Sequence, residues 1–142
     1  MRVVLDTNVV ISGTFFGGLP RKILDAAMDA RFSVCGNQYI VAEYKDTADE
    51  MIRRKKGHIN TQLLQSFLNE IYMAEPVSTV RICRDPDDDK FINCAIDANA
   101  IYIVSGDNDL LTIGQYAGID IITVRDFFDR FLATHSLRQP LQ

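Results

Sequence analysis

Residues 84–91 read RDPDDDKF, four aspartates in five positions with an apolar, helix-like run directly behind them. Such crowding is either a solvated acidic turn or part of a metal site whose other members lie elsewhere in the chain. Three further segments offer those members: Asp6 at the end of VVLD, Glu43 among Ile40, Val41, Ala42 and Tyr44, and Asp107 with Asp109 in SGDNDL. A carboxylate in an apolar helical neighbourhood is costly unless it is partnered. These motifs read as lacking a basic residue to pair the carboxylates, so a converged group would repel itself and one member would hold a proton. Oxygen-preferring divalent cations, Mg²⁺ or Mn²⁺, remove that conflict.

Each member alone has a plainer explanation. DTN at 6–8 is good turn chemistry, Asp107 and Asp109 flank a bend at Asn108, and helices carry many glutamates. Glu50, later on the Glu43 helix, reads as a solvated residue. Convergence of four segments favours the metal site over four coincidences.

The aspartates of the cluster divide by position. Asp85 before Pro86 suits a turn, and Asp87 and Asp88 suit an N-cap and a first helical turn. Asp89 falls on the side of Ile92, Asn93 and Ile96, but Asp88 also falls near the apolar face, and periodicity does not choose between them. An EF-hand loop is excluded by Lys90 and Ile96 at its glycine and glutamate positions. A haloacid-dehalogenase phosphatase is disfavoured by Asn8, where that reading needs a second aspartate.

The elements that must position these groups alternate. VVLD (3–6) reads as a buried strand, GTFFGGLP as a loop, and 21–30 as a helix with Ile23, Leu24, Ala27 and Met28 on one face. Ser33–Cys35 is a second short strand, and Asn37 is placed to cap a helix through YIVAEYKDTADEMIRR. RRKKGHIN breaks that pattern and 61–72 restores it. VSTVRI (77–82) reads as extended, KFINCAIDANA as a helix, IYIVSG (101–106) as the clearest strand, DND as a turn, IDIITV (119–124) as a strand and 125–134 as a closing helix. This order predicts an α/β three-layer sandwich with a central, mostly parallel twisted sheet flanked by helices. In such sheets sites form beyond the carboxyl ends of the strands, where Asp6 and Asp107 would project together.

No repeat, linker or low-complexity segment divides the 142 residues, which read as one domain with a core to about residue 132 and a loosely held tail. A chain of this length buries roughly 70% of its unfolded surface. The net charge of −4 excludes a generic basic nucleic-acid coat but not a nuclease. Cys35, Cys83 and Cys94 form no C-x-x-C pair, and His58 and His135 stand apart from them, so reduced structural thiols are expected instead of a zinc site. The apolar start is interrupted by Asp6, unlike a signal peptide, and no apolar run is long enough to span a membrane. A cytoplasmic protein is expected.

The ordered set VVLDTNVVISG, the helix around Glu43, RDPDDDKFINCAIDANA, YIVSGDNDLL and IDIITVRDFF resembles a PIN-domain ribonuclease. It is most similar to the branch of toxin components in toxin–antitoxin systems, over nearly the whole chain. The resemblance implies a metal-dependent endonuclease cutting single-stranded or structured RNA and leaving 5′-phosphate and 3′-hydroxyl ends. It implies that Asp6, Glu43, Asp89 and Asp107 hold one or two Mg²⁺ or Mn²⁺ ions. Asp89 is matched by lying eighteen residues before Asp107. Asp109 matches an auxiliary acidic position, Asn8 and Ser105 match orienting polar positions, and Asp46 and Asp49 compete with Glu43. Partners implied are RNA, a cognate antitoxin that covers the acidic cleft, and a second copy in a homodimer. Cations for the RNA backbone must be local in an acidic protein; candidates are Arg53, Arg54, Lys55 and Lys56 with His58, Arg21 with Lys22, and Arg81 with Arg84. The basic run equally suits a helix C-terminus decorated with favourable charge.

Overall fold

A computed structural model describes residues 1–54 and 61–133. Lys55, Lys56 and His58, together with the tail beyond Ala133, lie outside the described residues. Strand β1 (Arg2–Leu5) is central because its β-branched side chains are buried on both faces, as parallel sheets require. It pairs in parallel with β2 (Ser33–Gly36) on one side and β4 (Tyr102–Val104) on the other. β3 (Tyr72–Met73) continues beyond β2, and β6 (Ile119–Ile122) beyond β4. β5 (Gln115–Tyr116) closes the far edge antiparallel to β6, through a tight turn in which Ala117 and Gly118 both have positive φ. The order is β3-β2-β1-β4-β6-β5, an α/β sheet of six mostly parallel strands flanked by helices. Chain direction across the sheet reverses between β1 and β4, which opens a crevice at their carboxyl ends.

Two expectations fail near the start of the chain. Most of GTFFGGLP is helical: α1 (Thr7–Phe15) runs directly from Asp6, and α2 (Gly18–Met28) begins after a break at Phe16–Gly17. Val9, Val10 and Ile11 are all buried, so α1 is buried around most of its girth and lacks the narrow one-sided periodicity that signals a helix. Gly13 lets α1 approach α2, since a Cβ there would come within 2.7 Å of the Leu24 side chain and 2.9 Å of the Pro20 carbonyl.

Helix α3 (Gln38–Arg54) forms as expected, with Asn37 Oδ1 accepting the Tyr39 and Ile40 N–H groups at 3.0 Å each. Buried Tyr44 donates its hydroxyl to the Leu5 carbonyl, fastening α3 beneath the end of β1. Helix α4 (Gln62–Asn69) stops before the expected residue 72, because Tyr72 and Met73 pair with Cys35 and Gly36 instead. Pairing in the sheet overrides the local helical pattern there. The DND turn likewise proves to open a helix, α6 (Asn108–Ile113). The chain's last described segment is α7 (Val124–Phe127) continuing in wider π-type turns to Ala133, with Phe127 packed edge-on to Phe32 at 5.1 Å.

The segment 74–83 is extended but joins no strand beyond the bond from Ala74 N–H to the Gly36 carbonyl. Helix α5 (Asp89–Asp97) holds it instead. Asp97 accepts the Val77 and Ser78 N–H groups and the Ser78 hydroxyl. Asn93 both accepts the Val80 N–H at 2.7 Å and donates to the Val80 carbonyl at 3.1 Å. Asp89 Oδ1 accepts the N–H groups of Ile82 at 3.1 Å and Cys83 at 2.8 Å. Four helical residues rise about 6 Å, and two extended residues span about 6.6 Å. Positions 89, 93 and 97 of the helix therefore keep step with alternate residues of the segment. Among the described residues, no helix is long and apolar enough to cross a membrane.

Candidate metal centre

Asp6 leaves β1 and occupies the N-cap position of α1, but its side chain caps nothing. Instead Oδ2 accepts the Ser105 hydroxyl at 2.6 Å, and the Ser105 oxygen in turn accepts the Asp107 N–H at 2.9 Å. One hydroxyl thus ties the ends of β1 and β4 together across the crevice. Asp6 is only 5% exposed. Burial raises its pKa above the ordinary value, and the Asp107 and Glu43 charges push the same way. The Ser105 and Thr7 hydrogen bonds offset only part of this.

Asp107 caps α6 by accepting the Asp109 N–H at 3.0 Å, which fixes its own carboxylate and the orientation of Asp109. From the other wall, the 3₁₀ turn Pro86–Asp88 brings Asp88 in, with Asp85 accepting the Asp87 N–H as the turn chemistry suggested. Oxygens of Asp88, Asp107 and Asp109 lie within 4.8 Å of one another. The Asp88 pKa is pushed up to about 7: burial contributes most, followed by the Asp107 charge and a hydrogen bond shared with Asp107, with Asp85 and Asp6 adding to it.

Asp89 is not brought to this group. It is 7% exposed and turned to the 82–83 backbone. Burial acts to raise its pKa, yet the N–H groups of Cys83 and Ile82 and the Arg81 charge win, and the net shift is downward. Asp88, the alternative that periodicity left open, takes the place expected for Asp89. The reason is local: the 3₁₀ turn ahead of α5 rotates residue 88 toward Asp107, and Asp89 becomes the first residue of the ladder on α5.

Glu43 lies across from the aspartates, with Thr7 donating its hydroxyl to Oε2. Lys90 sits 2.6 Å from Oε1 of Glu43, correcting the reading that these motifs contain no basic partner. The lysine lies inside RDPDDDKF itself, where four acidic neighbours masked it. Lys90 also contacts the Asp87 carboxylate at 3.1 Å and carbonyl at 2.9 Å. Burial works to lower its pKa, but the Glu43 and Asp87 contacts outweigh it, so Lys90 stays charged. Thr7 was missed as well, although it directly follows Asp6. Asn8 is exposed on α1, and among the described residues no hydrogen bond joins it to a carboxylate. Asp46 is exposed in a hollow of about 470 Å³ that Glu43, Asp87, Lys90 and Tyr39 also line. Asp49 is exposed on α3.

The basic candidates separate. Glu50 is solvated as expected and pairs at the surface with Arg53 and Arg54, at 2.5 and 3.0 Å, which neutralises part of the run. Arg21 pairs with Asp25 at 3.4 Å. Arg84 is 89% exposed and 3.9 Å from Asp109, on the rim of the acidic group. Cys83 and Cys94 are pushed up to about 12, mainly by burial, and Cys35 is raised for the same reason, so all three free cysteines remain protonated.

The donor set fits a hard divalent ion. At metal–oxygen distances near 2.1 Å, octahedral ligands stand about 3 Å apart when adjacent and about 4.2 Å when opposite. The Asp88, Asp107 and Asp109 oxygens, all within 4.8 Å of one another, need only small side-chain adjustments to reach such a shell. The hydrogen bond between Asp88 and Asp107 needs a proton that a bound ion would displace. A pH effect follows. The Asp88 pKa in the fold lies above its ordinary value of 3.8. Its contribution to stability is therefore full below about pH 4 and lost as pH rises through about 7. A metal at this carboxylate relieves that loss, so the gain in Tm on adding saturating Mn²⁺ should be larger at pH 8 than at pH 6. Calorimetric scans at the two values check this, and a larger gain at pH 6 would place the ion away from Asp88.

Residues 2–109 match the PIN domain family. An uncharacterised protein of Methanocaldococcus jannaschii is 32% identical over 144 aligned residues, which cover 92% of each chain. No solved structure matches. PIN domains are generally metal-dependent nucleases, and Asp88, Asp107 and Asp109 offer ligand atoms within reach of one common ion. By its sequence match and its arrangement of acidic groups at one sheet edge, the chain belongs to the PIN domain family.

Proposed function

We propose that this protein is a metal-dependent endoribonuclease that hydrolyses phosphodiester bonds of single-stranded or structured RNA. The observation that carries the proposal is the convergence of Asp88, Asp107 and Asp109, whose oxygens lie within 4.8 Å of one another beside the buried Asp6. Asp6, Asp88, Asp107 and Asp109 are the donors for Mg²⁺ or Mn²⁺, and Glu43 faces them. A bound ion would supply a water of lowered pKa and positive charge for the transition state. Ser105 fixes the Asp6 carboxylate and the backbone of Asp107, so the donors are oriented before any ion arrives. Arg84, exposed beside Asp109, is placed to meet a substrate phosphate.

The choice of RNA, and the reading of the protein as the toxin of a cytoplasmic toxin–antitoxin pair, rest on resemblance of the ordered motifs. An antitoxin covering the acidic crevice and a homodimer belong to the same reading. The test is cleavage of RNA oligonucleotides by wild type and Asp6→Asn with Mn²⁺, Mg²⁺ or EDTA. Wild-type cleavage that EDTA stops, and that Asp6→Asn loses, is expected; retention of full cleavage by the variant would remove the site assignment. Growth arrest on expression of wild type but not of Asp6→Asn would separate a toxin from a housekeeping nuclease.

A further inference from the structure

We propose that Lys90 is a resident cation standing in place of a second divalent ion, so that the centre takes one metal on its aspartate side. Glu43 is then a positioned carboxylate held outside that metal's coordination shell. The inference rests on the metal-dependent reading above and narrows it.

The geometry divides the acidic group in two. Both Glu43 oxygens already have donors: Thr7 Oγ1 on Oε2, and Lys90 Nζ on Oε1 at 2.6 Å. The ammonium is equally occupied, with its remaining contacts on the Asp87 carbonyl at 2.9 Å and carboxylate at 3.1 Å. Its side chain is only 16% exposed, and the nitrogen lies 5.4 Å from the Phe91 ring centre, so the charge has little room to swing away. A divalent ion on Glu43 would sit against a fixed positive charge and would compete with these donors for the same two oxygens. Among the described residues, Asp88, Asp107 and Asp109 have no comparable partner: the one ion pair found there is with Arg84, 89% exposed and 3.9 Å from Asp109. The resident charge therefore neutralises Glu43, and the unneutralised charge lies on the aspartates. Arginine at position 90 would keep this division; an uncharged side chain would open the Glu43 side to an ion.

Mn²⁺ alone is the probe, added to the full chain at fixed neutral pH and followed by equilibrium dialysis and electron paramagnetic resonance. Wild type and Lys90→Arg should bind one Mn²⁺ with an uncoupled six-line spectrum. Lys90→Met should bind a second, with the broadened signal of a spin-coupled pair. Two ions in wild type, or a single ion still in Lys90→Met, would overturn the role of Lys90 while leaving the nuclease reading intact. No Mn²⁺ bound by wild type would overturn both. Because Lys90→Met could disturb folding, Glu43→Gln gives an independent measure. Its Mn²⁺ affinity should stay within about threefold of wild type, against a loss of more than about a hundredfold in Asp107→Asn. An equal loss in the two variants would overturn the inference.

Discussion

Asp88→Asn should abolish metal-dependent RNA cleavage, whereas Asp89→Asn should leave most of it. The two substitutions are chemically identical and one residue apart, so they separate position from composition. Asp88 shares a hydrogen bond with Asp107 and lies within metal-ligand reach of Asp107 and Asp109. Its amide replacement removes a negative donor from a site whose ion, on the proposed reading, would stabilise the transition state by several kcal/mol. With each 1.36 kcal/mol worth about tenfold, a fall of roughly 10² to 10⁴ in kcat/KM is expected. Asp89 uses a single oxygen, Oδ1, for both of its backbone bonds, and an asparagine oxygen can accept the same pair. A fall of less than about tenfold is expected for Asp89→Asn. Comparable loss in both variants, measured with thermal melts to confirm folding, would count against placing the metal at Asp88.

Asp89→Ala carries the largest expected cost in stability. It leaves the Ile82 and Cys83 N–H groups without their acceptor at a position only 7% exposed. Hydrogen bonds to charged groups contribute about 1.5–3 kcal/mol each, so a loss of about 3–5 kcal/mol is expected. For a domain of this size that lowers Tm by roughly 10–15 °C. The Asp89 pKa in the fold is depressed, so its stabilisation is present above about pH 4 and fades as pH falls through the lowered value. The gap between wild type and Asp89→Ala should therefore narrow in acid. A gap constant from pH 7 to pH 2 would mean that charge on Asp89 contributes nothing. Neighbouring aspartates thus respond to acid in opposite directions, Asp88 because burial and the carboxylates facing it disfavour its charge, and Asp89 because backbone N–H groups favour its charge.

Much of the framework was legible because it follows from periodicity and turn chemistry. The alternation of strands with helices predicted the parallel sheet, and strand ends predicted that Asp6 and Asp107 would meet at one edge. Asn37 announced its helix by residue type alone. Helix α1 was hidden because burial around most of its girth blurs a one-sided pattern, and α4 lost its last residues to the pairing of β3 with β2. Within DDD the choice between neighbours depended on a 3₁₀ turn of three residues, a rotation that hydrophobic periodicity does not encode. Lys90 was overlooked for a different reason: a charge count over the motif sees an acidic segment, while the bond at Glu43 depends on which way one residue points.

The ladder on α5 has a consequence for how this molecule can vary. Residues 77–83 are gripped mainly through their main-chain N–H and C=O groups, with the Ser78 hydroxyl and the Cys83 thiol adding side-chain bonds to Asp97 and Asp89. A peptide bond presents the same donor whatever side chain it carries, proline apart. Thr79, Arg81 and Ile82 are exposed, and Thr79 and Arg81 line a cavity of about 640 Å³ that also includes Tyr39 and Lys90. The identities of Thr79 and Ile82 are therefore decoupled from the segment's attachment, whereas the Arg81 charge supports Asp89. Relatives could exchange Thr79 and Ile82 freely beside the acidic centre, retuning what lies against that wall without disturbing how the wall is held.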